Sequence, residues 1–388
     1  MAILNRFSEM FSEISTWRRD LHAHPELRFE EYRTAAFVAS KLKEFGVNEI
    51  VTGFGGTGVV GVIHGQIDTS GRSIGFRADM DALPIQEVND LPHASRAPGK
   101  MHACGHDGHT SMLLGAAKYL AETRNFDGKI VLAFQPAEEG GGGARAMIND
   151  GLMEKWSVEE IYGMHNMPGL PVGEFAVRTG LQMACPDKFE IIVRGKGGHG
   201  AMPHKCVDST LVAAQIVVAL QSIASRNINP LENVVVSVCG FCTETDTYNV
   251  IPNTVRLRGT VRTFAKDVQQ LVRARIDLLA KSTADGYGAV AEVIHLSGPP
   301  PLVNHEREAD FAAEVALSVC GVAHRDFEPS MGGEDFSEML LERPGAYLFV
   351  GNGDSADLHN PTYDFNDDVI PVGCSWFVTM AERRMPLS

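Results

Sequence analysis

Lys129-Ile130-Val131-Leu132-Ala133-Phe134-Gln135-Pro136-Ala137-Glu138-Glu139 sets the architecture of this 388-residue chain. The unbroken apolar run from Ile130 to Phe134 reads as a buried strand, of the kind found in a sheet covered by helices. It delivers two adjacent carboxylates, Glu138 and Glu139, followed by the glycines Gly140 to Gly143 and a helix from Ala144 to Asn149. Two carboxylates at a strand end are costly unless positive charge sits nearby. Adjacent side chains point in different directions, so one carboxylate can ligate a metal while the other handles a proton. No Gly-Lys-Ser/Thr follows the glycines, which excludes a phosphate loop.

Two other strands end in ionisable groups. Ser73-Ile74-Gly75-Phe76-Arg77-Ala78-Asp79 runs on into Met80-Asp81-Ala82-Leu83-Pro84, and Glu160-Ile161-Tyr162-Gly163-Met164-His165-Asn166 ends in a histidine. Open α/β sheets gather functional groups at the C-terminal edge. Asp79/Asp81, Glu138/Glu139 and His165 thus point toward one crevice, although Asp79 and Asp81 are equally ordinary as turn residues. The densest metal-binding stretch lies between the first two of these ends: Met101-His102-Ala103-Cys104-Gly105-His106-Asp107-Gly108-His109. Imidazole, thiolate and carboxylate are the side chains that hold divalent transition ions. A buried helix over about 108–122 follows. The spacing is not that of a zinc finger, so distant partners must complete any site.

The flanking chain reads as helices over 5–20 and 30–45, with Leu21-His22-Ala23-His24-Pro25-Glu26 as a turn between them. Gly53-Phe54-Gly55-Gly56-Thr57-Gly58 formally matches a dinucleotide fingerprint. A strand, not a helix, follows it, so the glycines form a turn between strands. After residue 180 the pattern changes to strand–helix–strand–strand–helix–strand, with helices over about 208–226 and 266–283. This is a ferredoxin-like split unit, inserted over 184–296. The run Pro299-Pro300-Pro301 marks the return. Within the insert, the loops Gly197–His204, which carries His199, and Asn249–Asn253 are not needed to fold so small a unit, and such loops often carry function. Further on, Ser330-Met331-Gly332-Gly333-Glu334-Asp335-Phe336 is a Gly-Gly turn opening a helix, with backbone donors for a carboxylate. Leu358-His359-Asn360-Pro361 is a late loop, before a last helix over about 368–383.

A net charge of -15 argues against nonspecific nucleic-acid binding and against an anionic membrane surface. No run of 18 or more consecutive apolar residues suggests a membrane span. The first ten residues carry no signal-peptide pattern. Seven cysteines form no regular framework, which favours a reducing cytoplasm.

Met101–His109, Pro136–Gly140, Gly163–Asn166, the Gly198-His199 turn and Leu358–Pro361 together resemble the M20 metallopeptidase family over essentially the whole chain. More narrowly they resemble its amidohydrolase subfamily, the hippurate hydrolases, N-acyl-amino-acid amidohydrolases, N-acetyl-diaminopimelate deacetylases and plant auxin-conjugate hydrolases. Arg77–Pro84 also fits. The resemblance implies an α/β, zinc-peptidase-like catalytic domain with a central mixed sheet, 1–183 and 297–388, and an inserted ferredoxin-like α+β dimerisation or lid domain, 184–296. It implies two divalent ions per subunit, whether zinc, manganese, cobalt or nickel, held by Cys104, His106, Glu139, His165 and His359, with Cys104 bridging. By the same resemblance Glu138 is the general base, and His199 reaches into the partner subunit's site. Asn253, Gly332 and Gly333 contact a substrate carboxylate. His102, Asp107 and His109 take supporting places. The implied substrate is a small N-acyl amino acid, the implied assembly a cytoplasmic homodimer or homotetramer joined through 184–296. A dipeptidase or carboxypeptidase with the same machinery is the enzymatic alternative. A metal-containing binding protein is the other, and Glu138 beside Glu139 speaks against it because binding alone needs no base.

Overall fold

The computed structural model describes residues 2–387, so positions 1 and 388 of the expected domain limits lie outside it. It divides the chain into two compact units. The first runs up to Gln182 and resumes with Val303–Glu328 and from Asp335 onward; the second is Met183–Leu302 with Pro329–Glu334. Residues 297–302 and 329–334, which the sequence reading groups with the first unit, cluster with the second. Hydrogen bonds account for this. Gly298 N–H donates to Asp187 at 3.0 Å, and Ala184 N–H donates to the Ser330 and Gly332 carbonyls at 3.0 Å.

In the first unit α1 (Ala2–Ala23) and α2 (Tyr32–Glu44) precede β1 (Glu49–Phe54), β2 (Gly58–His64) and β3 (Ser73–Asp79). Then come α3 (His106–Thr123), β4 (Lys129–Gln135), α4 (Gly143–Asn149), α5 (Leu152–Lys155), β5 (Glu160–Pro168) and β6 (Phe175–Ala176), and β7 (Gly180–Met183) leads out. The second unit holds β8 (Cys185–Arg194), β9 (Gly198–His199), α6 (Ser209–Leu220), β10 (Val235–Thr243), β11 (Val250–Ile251), β12 (Thr254–Thr263), α7 (Lys266–Gly286) and β13 (Val290–Leu296). The chain returns through β14 (Leu302–Asn304) to α8 (Glu306–Cys320), β15 (Ala323–His324), α9 (Phe336–Glu342), β16 (Gly345–Gly353) and α10 (Ile370–Arg384).

The first unit is built on an eight-stranded mixed sheet ordered β1-β2-β4-β3-β5-β16-β6-β15. Its centre, β4-β3-β5-β16, is parallel. Side chains alternate between the two faces. Phe76, Ala78, Leu132, Phe134, Tyr162 and Leu348 join one core with Phe7 and Ile14 of α1, Met112 and Leu113 of α3, and Trp376 of α10. Arg77 and Gln135 fall on the other face by the same alternation. Gly163 leaves room on it, since a Cβ there would lie 3.0 Å from the Tyr347 ring and 3.4 Å from Phe336 of α9. Cover on both faces is what the apolar run Ile130–Phe134 requires. The chain leaves β3 for β4 on one side and later comes back to β5 on the other. This reversal of strand order is where α/β sheets open a crevice.

The second unit carries a four-stranded antiparallel sheet ordered β10-β12-β8-β13. The first and third strands of the βαββαβ unit are central, the ferredoxin-like arrangement. Ile191, Val193, Val255 and Leu257 pack against Val212, Ile216 and Leu220 of α6 and Val272, Ile276 and Ala280 of α7. The helical stretch Ser209–Asn227 is long and apolar enough, by length and composition alone, to cross a membrane. Its residues Val212, Ala213, Ile216, Leu220 and Ile223 are instead buried in this core.

Candidate metal centre

β3 and β4 run side by side with Asp79 opposite Gln135, so Asp79, Asp81 and the Glu138-Glu139 turn leave the sheet at one edge. β5 lies on the other side of β3 and brings His165 to the same edge. The ligand loop enters between them through Gly105, whose φ of 89° suits glycine. A Cβ there would come within 2.3 Å of Asn166 Oδ1 and 2.7 Å of Tyr363 Oη. α3 begins at the next residue, and its first turn, His106 to His109, is buried. His359 arrives from the late loop with a left-handed φ of 63°, its N–H donating to Ala103 O at 2.7 Å.

These elements bring the expected ligands together. Ligand atoms of Cys104, His106 and His165 lie within 4.8 Å of one another, as do those of Cys104, Glu139 and His359, and those of His106, Glu138 and Glu139. Cys104, His106 and Glu139 each belong to two of these groups, so the groups overlap. Hydrogen bonds fix the imidazoles. His165 Nδ1 donates to the Asn166 carbonyl at 2.7 Å, which leaves Nε2 with its lone pair 3.3 Å from Cys104 Sγ. His106 Nδ1 lies 3.2 Å from Asp81 Oδ1, while its buried Nε2 has no hydrogen-bond partner among the described residues. A carboxylate behind one ring nitrogen and no hydrogen-bond partner at the other is the usual setting of a ligating histidine, whose proton a metal displaces. Asp81 also accepts the N–H groups of Glu138 at 3.1 Å and Glu139 at 2.9 Å.

The electrostatics ask for cations. Burial, and then Glu139 and Glu138, push the Cys104 thiol well above its ordinary range. A thiolate there needs a metal beside it. Burial pulls the His106 pKa down, but Asp79 and Asp81 outweigh it and hold the imidazole at about 10. Burial and His109 keep His165 well below its usual value, and therefore neutral. One buried thiol, three imidazoles and two carboxylates, with an unsatisfied ring nitrogen among them, fit a dinuclear divalent-metal site.

The supporting residues are less legible in the sequence. His109 Nδ1 is 2.6 Å from Asp79 Oδ1, and the other Asp79 oxygen accepts from Arg77 Nη1 at 2.6 Å. Arg77 is wholly buried on β3. A charged residue inside an otherwise apolar strand is itself a signal that a buried partner exists. α1 runs on to Ala23, so His22 sits in its last turn and not in the expected connecting turn. Its Nδ1 is 2.8 Å from Asp107 and its Nε2 3.4 Å from Glu87, with Arg18 3.6 Å from Asp107. Asp107 thus ties the ligand loop to α1. His102 joins none of the ligand groups among the described residues, and burial lowers its pKa to about 3.

The His22 pair gives a pH dependence. Burial opposes its charge, but Asp107 prevails and raises the pKa from 6.5 to about 9. A raised pKa stabilises the fold fully below about 6.5, and that contribution disappears as pH rises through about 9. Denaturant unfolding should lose about 3 kcal/mol of stability over this window, and His22→Gln should flatten the slope. An equal slope in the variant removes the assignment.

The remaining expected site residues belong to the second unit. His199 is exposed and pairs with Val250 across β9 and β11; its Nδ1 accepts Ala201 N–H at 3.1 Å. Asn253 Oδ1 accepts Gly197 N–H at 3.0 Å, and its Nδ2 donates to Glu244 at 3.0 Å. Gly332 N–H donates to Ser330 Oγ at 3.0 Å, and a Cβ on Gly333 would come within 2.2 Å of Pro186. α9 starts at Phe336, so the Gly-Gly pair lies just ahead of the helix.

The family profile described as peptidase family M20/M25/M40 matches residues 75–383. The hippurate hydrolase of Campylobacter jejuni is 40% identical over 99% of this chain and 100% of its own length. The N-acetyl-L-cysteine deacetylase of Bacillus subtilis is 41% identical over 95% of this chain and 87% of its own. Among solved structures, a dinuclear metal-binding peptidase of the M20 family from Bacillus subtilis superposes with a TM-score of 0.82 at 36% identity, covering 97% of this chain and 99% of that one.

Proposed function

The chain belongs to the M20/M25/M40 peptidase family, and from that premise we propose that it cleaves N-acyl amino acids to a carboxylate and a free amino acid. Hydrolysis of amide bonds at a dinuclear metal site follows from the clustered ligands and the relatives. The substrate class is our reading. It is supported by the relatives' names, a hippurate hydrolase and an N-acetylcysteine deacetylase, both of which take an acyl group from an amino-acid nitrogen.

The observation that carries a catalytic role is Glu138 beside Glu139. In this reading Cys104, His106, Glu139, His165 and His359 hold the two ions, which are zinc, manganese, cobalt or nickel. Such ions supply an acidified water and a polarised carbonyl. Glu138, partly exposed and next to the ligands, takes the proton of the attacking water and returns it to the departing amine. His199 supplies a donor to the carbonyl oxygen. Its Nδ1 accepts a backbone N–H, so the neutral ring carries its proton on Nε2. Asn253 and the Gly332-Gly333 turn receive the substrate carboxylate.

We place this protein in the cytoplasm as a homodimer or homotetramer joined through its second unit, Met183–Leu302 with Pro329–Glu334. Support for the interface comes from β10, an edge strand with Phe241 exposed, and from Leu211 and Val218 exposed on α6. Support for the location comes from its cysteines, all seven of which are free. The net charge of -15 disfavours nucleic acid as a partner. Because His199 acts in the partner's site, His199→Ala should lower kcat by about a hundredfold or more with little change in thermal unfolding. Mixed with Glu138→Gln, it should regain part of the activity. A verified heterodimer with no recovery rejects action across the interface.

A dipeptidase or carboxypeptidase is the second reading, favoured by the solved M20 peptidase. N-acetyl amino acids, hippurate and dipeptides assayed at matched concentration on metal-reconstituted protein separate the two. Fastest turnover of dipeptides replaces our reading, and binding without turnover of any of them leaves only a binding role.

A further inference from the structure

The turn that carries Glu138 is held by a residue far away in sequence. Ala137, immediately before it, is fully buried and has a φ of 52°, in the left-handed region that L-residues avoid. Its N–H donates to Glu31 Oε1 at 2.9 Å, across 106 positions of chain. Thr57 Oγ1 donates to the other Glu31 oxygen and so fixes the rotation of the carboxylate. Glu31 is wholly buried at the start of α2. A carboxylate so removed from water needs its donors. The space around Ala137 is closed as well. A Cβ at Gly141 would come within 2.6 Å of Ala137 Cβ, and one at Gly143 within 1.6 Å of Pro136 O. The left-handed residue sets the direction in which the chain presents Glu138.

Two more buried carboxylates hold the rest of the turn. Asp335 accepts Gln135 Nε2 at 2.7 Å ahead of it and Ala144 N–H at 3.0 Å behind it. Asp81 accepts the N–H groups of Glu138 and Glu139 but also contacts His106, so altering it disturbs a ligand. The Glu31 hydrogen bonds go to Ala137 and Thr57, neither of them a ligand. Glu31 therefore offers a way to loosen the aim of Glu138 while leaving the metal site intact.

We propose that Glu31 is a positioning residue for the reaction, its clamp on Ala137 N–H holding the left-handed turn that aims the Glu138 carboxylate. The proposal rests on the reading of Glu138 as the base. Glu31→Met fills the same space without an acceptor, whereas Glu31→Gln keeps a carbonyl oxygen for Ala137 N–H and an amide beside Thr57.

Both variants are compared with the unaltered enzyme by steady-state kinetics, metal analysis and thermal unfolding. Glu31→Met should lower kcat at least about tenfold with KM within about twofold, because small misplacements of a catalytic group are costly. It should retain two equivalents of metal. Glu31→Gln should stay within about threefold of the unaltered kcat, since it preserves the acceptor. Unaltered kcat in folded, metal-replete Glu31→Met overturns the proposal. So does loss of metal in step with activity, or a Gln variant no better than Met. Should Glu31→Met not fold, Thr57→Val removes only the hydroxyl that locks the carboxylate, and about a threefold drop in kcat at constant KM is then expected. No drop overturns the proposal. Glu138→Gln, run in parallel, separates the two failures. If it keeps turnover, the base assignment fails; if it is dead while Glu31→Met is fully active, only the role of Glu31 fails.

Discussion

Glu138→Gln should bind two equivalents of metal, unfold at the same temperature as the unaltered protein, and lose at least about a thousandfold in kcat. The substitution keeps shape and hydrogen-bonding capacity but removes the atom that accepts a proton. Glu138 lies in one group with His106 and Glu139. The expected ligand from that turn is Glu139, whose Oε1 is 3.1 Å from His359 Nε2. The split between the two neighbours is therefore testable. Glu139→Gln should lower metal content together with activity, whereas Glu138→Gln should lower activity alone. Metal analysis and kcat measured on the same preparations decide it. Near-normal turnover in Glu138→Gln ends the proposed mechanism, and metal loss in that variant reverses the two assignments.

Stripping the protein with a chelator should reduce turnover at least about a thousandfold while leaving it folded, and zinc, manganese, cobalt or nickel should restore it. Two physical reasons support an inactive but folded state. The core of the first unit, from Phe7 to Met385, is apolar and does not depend on the ligands. The ligand cluster, by contrast, brings a thiol and several carboxylates together, and burial with Glu139 and Glu138 keeps Cys104 protonated when no cation is there. Metal should also raise the unfolding temperature in a concentration-dependent way, because it binds only the folded arrangement. Far-ultraviolet circular dichroism and metal content, followed alongside activity, check both parts. An unaffected rate in metal-free protein removes the metal from the reaction.

Several features of the fold were open to reading along the chain. The apolar run Ile130–Phe134 forms β4, inside a sheet with helices on both faces. The βαββαβ order of the second unit appears with the expected strand neighbours. Local chemistry suffices for such features, because burial on both faces, alternation and glycine turns leave their mark in consecutive residues. The motifs point to Cys104, His106, Glu139, His165 and His359, and the structure gathers their ligand atoms into overlapping groups.

What the sequence could not express is the layer that holds these residues. By local pattern His22 belongs to a turn, yet it lies in the last turn of α1 and meets Asp107. By local pattern Glu31 starts a helix, yet its carboxylate also reaches Ala137. By local pattern Arg77 is a strand residue, yet it links Asp79 to Asp335, 256 positions apart, with Nη2–Asp335 Oδ1 at 3.1 Å and Nη1–Asp79 Oδ2 at 2.6 Å. A buried charge is stable only beside its partner, and a single residue gives no sign of where in the chain that partner lies. Residue types and local spacing determined the strands, the inserted unit and the candidate ligands. Only the tertiary structure decided which carboxylates steady the imidazoles and which steady the turn, because long-range pairing is settled by packing and desolvation, not by order along the chain.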